Sequence, residues 1–123
     1  MTPVFHGYYR SSAAFRVRIA LALKGMDVKT VFHHLRRGEQ QAPEYLALNP
    51  QGLLPALEVP GAVLTQSMAI IEYLDETMPG TPLLPADAIG RARVRAHVER
   101  ARFQCAVAIA DAVWGKVVYV SCR

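Results

Sequence analysis

Cysteine is scarce in this chain: two residues in 123, Cys105 and Cys122. Neither belongs to a C-x-x-C, so neither a disulfide framework nor a zinc site is indicated. No cysteine stands at a predicted helix start, which argues against dithiol redox chemistry. Charged residues make up only 20% and hydrophobic ones 52%, the balance of a folded chain and not a disordered one. The length suits one domain with a modest core. No apolar run is long enough to cross a membrane. The N-terminus enters a strand-like segment without a charged-then-apolar leader, so no secretory signal is expected and the cytoplasm is the default location. Internal repeats and low-complexity segments are lacking. Acidic residues are outnumbered 10 to 14, a net charge of +4. A basic balance raises the question of nucleic acid. The excess gathers at Arg91, Arg93, Arg95, Arg100 and Arg102 without the interleaved aromatics that stack on bases, so it reads as a solvated helix face.

What is present has a clear order. Thr2 to Tyr9 is a short strand candidate. Ser11-Ser12 opens a helix running to Lys24, and Gly25 stops it, since glycine tolerates the left-handed residue that ends many helices. Phe15, Ile19, Ala22 and Leu23 recur at helical spacing and are expected to face the core. Val28 to His33 is a second strand. Strand, helix, strand at this spacing is a βαβ unit, so the two strands should be parallel. Leu35 to Leu48 is irregular, then helical around Glu44, Tyr45, Leu46 and Leu48. Asn49-Pro50-Gln51-Gly52 is a turn, and Pro55 keeps the next strand from starting before it. Pro60-Gly61 is a hairpin turn, with Ala62 to Thr65 returning. Gln66-Ser67 opens a helix carrying Met68, Ile71, Leu74, Asp75 and Met78, and Pro79 to Pro85 reads as a linker. Ala86 to Val113 is a long helical candidate with an Asp87/Arg91 pair four apart and Arg95/Glu99 in reverse order. Trp114-Gly115 breaks it, and Lys116 to Ser121 looks strand-like. The pattern is α/β. His33 and His34 would point to opposite faces and make a poor chelate, so with His6 and His97 they read as ordinary residues.

The run Arg10-Ser11-Ser12-Ala13-Ala14-Phe15-Arg16-Val17-Arg18-Ile19-Ala20-Leu21-Ala22-Leu23-Lys24-Gly25 resembles the zeta class of glutathione transferases, which includes maleylacetoacetate and maleylpyruvate isomerases. The resemblance extends from about Pro3 to Arg95, through Asn49-Pro50 and Leu64-Thr65-Gln66-Ser67-Met68-Ala69-Ile70-Ile71-Glu72-Tyr73-Leu74. It implies a thioredoxin-like four-stranded mixed sheet with flanking helices, followed by the beginning of an all-helical domain. The expected division is a glutathione-binding domain over 1–80, a linker over 81–85, and over 86–123 a truncated, divergent start of the helical domain.

The same resemblance implies roles for individual residues. Ser11 is the expected catalytic residue, holding glutathione as its thiolate, with Ser12 beside it. Where the family often has cysteine next, this chain has Ala13. A helix start can lower a thiol from its ordinary value of about 8.5, and a drop of about two units stabilises the thiolate by about 2.7 kcal/mol. Gln66 and Ser67 are expected to bind the γ-glutamyl carboxylate at the second helix start. Leu54 precedes an expected cis-proline, and its backbone would pair with the cysteinyl part. Either Gln40 or Gln41 would meet the glycyl end. Arg10 matches a family arginine, and Arg16 another that could orient an acidic substrate. The implied reaction is cis-trans isomerisation of a maleyl acid with glutathione as cofactor; transfer of glutathione to other electrophiles uses the same site. A non-catalytic glutathione-binding module is the third alternative. A homodimer is implied, and no nucleic-acid or membrane partner.

Overall fold

The computed structural model describes residues 1–100. Cys105, Cys122, Arg102, the Trp114-Gly115 break and the expected strand at Lys116 to Ser121 lie outside the described residues. Contacts divide the chain into Met1–Leu83 and Leu84–Arg123. The first unit runs β1 (Val4–Gly7), α1 (Ser12–Lys24), β2 (Lys29–Phe32), two 3-10 turns (Leu35–Arg37 and Glu39–Gln41), α2 (Pro43–Leu48), β3 (Ala56–Val59), β4 (Ala62–Thr65) and α3 (Ser67–Thr77). In the second, residues 88–100 are helical, and the Asp87 carboxylate accepts from Gly90 N at 2.6 Å at that helix start.

The four strands form one mixed sheet in the order β2-β1-β3-β4. β1 and β2 are parallel, as a βαβ unit requires, and β3 runs antiparallel to β1 and to β4. This is the thioredoxin-like arrangement. β1 is shorter than the expected Thr2 to Tyr9 because the chain turns at its end, where Ser11 N donates to Tyr8 O at 3.0 Å.

Helix α1 begins and ends where its caps dictate. Ser11 Oγ accepts from Ala14 N at 3.1 Å. Gly25 adopts φ 62°, and its N–H with that of Met26 closes the last turn on Ala22 O and Leu21 O. Its buried face corrects the expectation. Phe15, Ile19 and Leu23 are 55%, 46% and 60% exposed, and Ala22 is exposed too. The helix instead turns Ala14, Val17, Ala20, Leu21 and Lys24 inward. The small Ala14 and Ala20 let it lie close to the sheet, against Phe5, Leu57 and Val59 and beside Ile70 and Leu74 of α3. Lys24 joins the buried face because Asp75 of α3 meets it, Nζ to Oδ1 at 2.9 Å. Asp75 Oδ1 also accepts from Leu83 N at 2.8 Å, fastening the chain after α3 to the helix.

The opposite sheet face is covered by α2. Pro43 at its first turn presets φ for a helix and lacks the N–H that would go unused there. Tyr45 is buried beneath this helix, against His6 of β1.

Candidate glutathione-binding edge

The strand registers decide which loops meet. His6 near the end of β1 pairs with Ala56, the first residue of β3, and Ala56 pairs with Thr65, the last of β4. One end of the sheet therefore gathers the β1–α1 turn with Ser11 and Ser12, the segment ahead of β3 with Leu54-Pro55, and the β4–α3 junction with Gln66 and Ser67. Both helices open at this end. Neither α1 nor α3 has an acidic residue in its first turn, so their free N–H groups and partial positive charges stand unopposed by carboxylates of those turns.

Ser11 is partly exposed and serves as the α1 cap. Its hydroxyl oxygen takes the Ala14 N–H, which leaves the O–H free to be donated outward, because a hydroxyl offers one donor besides its acceptor lone pairs. Ser12 begins the helix and is partly exposed, and Arg16 lies one turn on, also partly exposed.

The peptide Leu54-Pro55 is cis. Leu54 lies outside the ladder, which starts at Ala56. The turn before it is held from several sides. Leu53 O accepts from Tyr45 Oη at 2.5 Å and from Asn49 Nδ2 at 2.9 Å. Asn49 is buried, and its Oδ1 accepts from Gln51 N at 3.2 Å. Gln41 Nε2 donates to Gly52 O at 3.3 Å. Gly52 has φ 62°, and a Cβ there would run into the Gln41 amide, so glycine is needed for both reasons.

Gln66 is the cap position of α3, with φ 70° and no side-chain capping bond. A non-glycine residue is strained there, by about 1–3 kcal/mol. Its side chain donates to Gln51 Oε1 at 3.0 Å, and Ser67 follows as the buried first residue of the helix. Strain held at the exposed residue that opens α3 points to a function. Gln66→Gly is expected to raise the unfolding free energy by about 1 kcal/mol while weakening ligand binding, measured by urea unfolding and by titration. A change that leaves both quantities alone contradicts a ligand role for the strain.

Structure brings Gln41, Leu54 and Gln66 together around the 49–55 turn. It gives the two loop glutamines different positions. Gln41 is tied to Gly52, whereas Gln40 is partly buried with Oε1 lacking a hydrogen-bond partner.

A second cluster, on the α2 face, joins His6 and His33, which the sequence alone marks as ordinary residues. His6 is 4% exposed, with Nε2 2.6 Å from Glu58 Oε1 and Nδ1 2.8 Å from His33 Nε2. Both rings pack on Tyr45, with centroids 5.5 Å and 4.4 Å away. The available signal was the β1–β3 register, which sets Val4 opposite Glu58 and so puts His6 and Glu58 diagonally on one face. Among the described residues no group of three or more His, Cys, Asp and Glu side chains is placed to hold a metal ion.

Fold and edge together define a thioredoxin-like domain whose two helix starts, free of first-turn acids, stand at one end of the sheet. Residues 4–76 match the family model of the glutathione S-transferase N-terminal domain, and the chain belongs to that family. It is 57% identical over 93 residues to the maleylacetoacetate isomerase of Rhizobium meliloti (strain 1021), covering 76% of this chain and 44% of that protein. Among solved structures it is similar to a maleylacetoacetate isomerase from Methylobacterium extorquens AM1 with bound malonate and GSH, with TM-score 0.73, 53% identity and coverage of 76% and 44%. It is also similar to a holo maleylpyruvate isomerase, a bacterial zeta-class protein, with TM-score 0.72, 48% identity and the same coverage. The chain thus spans less than half the length of these relatives.

Proposed function

We propose that this chain carries the glutathione site of a zeta-class, glutathione-dependent isomerase acting on maleylacetoacetate or maleylpyruvate. The observation behind it is the convergence of Ser11, Leu54-Pro55 and Gln66-Ser67 at one sheet end, with two helix starts free of first-turn acids. The likeness to the three named isomerases suggests the substrate class.

The residues fit glutathione, a peptide with two carboxylates and a thiol. The start of α3, with Gln66 and Ser67, suits the γ-glutamyl carboxylate. The backbone of Leu54 suits the cysteinyl amide, as a short strand added ahead of β3. Gln40 or Gln41 reaches the glycyl end. When bound, glutathione supplies a thiolate that adds reversibly to the cis double bond, allowing rotation and re-formation as trans. Ser11 donates a hydrogen bond from its hydroxyl to the sulfur, and the α1 start adds its positive end; both favour the ionised thiol at neutral pH. Arg16 attracts and orients the acidic second substrate. We propose further that the protein acts as a cytoplasmic homodimer, that residues 1–80 form the glutathione domain, 81–85 a linker, and 86–123 the start of a helical domain. Among the described residues no helix is long and apolar enough to cross a membrane.

The test is an assay of the 123-residue chain with a maleyl acid and with an aryl halide, each with and without glutathione. Isomerisation that needs glutathione but does not consume it supports the proposal. Consumption of glutathione by the aryl halide with no isomerisation would replace it by a general transferase.

A further inference from the structure

His6, His33 and Glu58 form a hydrogen-bonded chain under α2: Glu58 Oε1 to His6 Nε2, then His6 Nδ1 to His33 Nε2. The proposed reaction does not use it. Its geometry restricts how many protons it holds. The Glu58 contact takes the His6 Nε2–H, and the His6–His33 contact of 2.8 Å accommodates one hydrogen between two nitrogens. One ring must donate and the other accept. His33 Nδ1 can take one added proton without disturbing this contact; with both rings charged, both facing nitrogens are donors, and the contact then sets two N–H groups and two positive rings against each other.

This pair also bears on the ligand edge. The two imidazole rings lie 28° from parallel with centroids 5.1 Å apart, and Tyr45 packs on both at a tilt, 50° to His6 and 44° to His33. Tyr45 in turn donates to Leu53 O, one residue before Leu54. The other groups around the pair are accounted for. Glu39 lies near His33, and its Oε2 accepts from His34 N. His34 Nε2 is 3.3 Å from Tyr8 Oη.

We propose that the His6–His33 pair is a proton-sensitive support for the glutathione edge: with one shared proton it holds Tyr45 and the Leu53-Leu54 backbone in place, and a second proton releases them and weakens binding. His33 is the positioning residue. The inference rests on the proposed glutathione site. Burial, and then the His6 charge, hold the His33 ring below the usual histidine range, with Glu39 opposing. The native chain therefore resists the second proton that the unfolded chain accepts. This share of stability is complete above about pH 6.5, and is lost as pH falls through that value towards the native one.

The probe is S-methylglutathione, whose thioether does not ionise and whose carboxylates and amine keep their charges between pH 5 and 7. Calorimetric titration of the 123-residue chain is expected to show the dissociation constant rising about tenfold from about pH 7 to about pH 5. His33→Gln, which can still donate to His6 Nδ1 but never charges, is expected to show a flat profile, whatever its affinity. Should that variant not fold, Tyr45→Phe cuts the link to Leu53 and is expected to flatten the profile too. A flat profile in the wild type, or a slope kept in a folded variant, overturns this proposal and leaves the glutathione site standing. No binding at any pH overturns both.

Discussion

Replacing Ser11 by alanine is expected to raise the bound thiol by one to two pKa units and to cut glutathione-dependent turnover about a hundredfold, the usual loss for one preorganised donor at a developing charge. In the proposed role the hydroxyl donates a hydrogen bond to the sulfur, which favours the ionised thiol. The substitution also removes the cap on Ala14 N, which costs about 1 kcal/mol of stability. The two effects separate with further variants. Ser11→Thr keeps both the cap and the donor and should retain most of the thiolate. Ser11→Gly gives back most of the cap energy without the donor, and should behave like alanine in the thiol titration. Ultraviolet absorbance of the bound thiolate against pH gives the answer directly. An alanine variant with the wild-type thiol titration removes Ser11 from the chemistry and leaves it a cap alone.

The second large effect is in stability. Asp75→Ala is expected to cost about 3–5 kcal/mol, because it strands the Lys24 ammonium in the core. The side chains of Lys24 and Asp75 are 1% and 11% exposed, so water cannot replace the lost partner without disturbing α1 and α3. The Leu83 N–H loses its acceptor at the same time. The melting temperature should fall by about 10 °C or more for a chain of this size. Replacing both partners with apolar residues, Lys24→Met with Asp75→Leu, should recover most of the loss, since a buried pair barely repays its own desolvation. Urea unfolding of the single and double variants measures both. A loss below about 1 kcal/mol in Asp75→Ala would mean the pair is effectively solvated.

That ion pair also shows where the sequence stops being legible. The ends of α1 follow from Ser11 and Gly25, and the strands follow from turns at Asn49-Pro50 and Pro60-Gly61; these are local signals that neighbours carry. Which face of α1 is buried is not local. Phe15-Ile19-Leu23 and Val17-Leu21-Lys24 both run at helical spacing, and side-chain size favours the first. The sheet selects the second, because Ala14 and Ala20 allow close approach and Asp75 neutralises Lys24, 51 residues away in sequence. The same holds at the candidate site. Ser11, Gln66 and Ser67 are visible at helix starts, and a long run resembling a known family tells them apart from ordinary caps. The strain at Gln66, the Tyr45 hold on Leu53 and the His6–His33–Glu58 chain depend on registers between strands, and no single segment of sequence contains them.

The central claim is that these residues form a glutathione site. Calorimetric titration of the 123-residue chain with glutathione, beside its Ser67→Ala variant, tests it most directly. Saturable binding that weakens in the variant, with the fold of both intact by circular dichroism, is the predicted result. A folded wild-type chain that takes up no glutathione contradicts it.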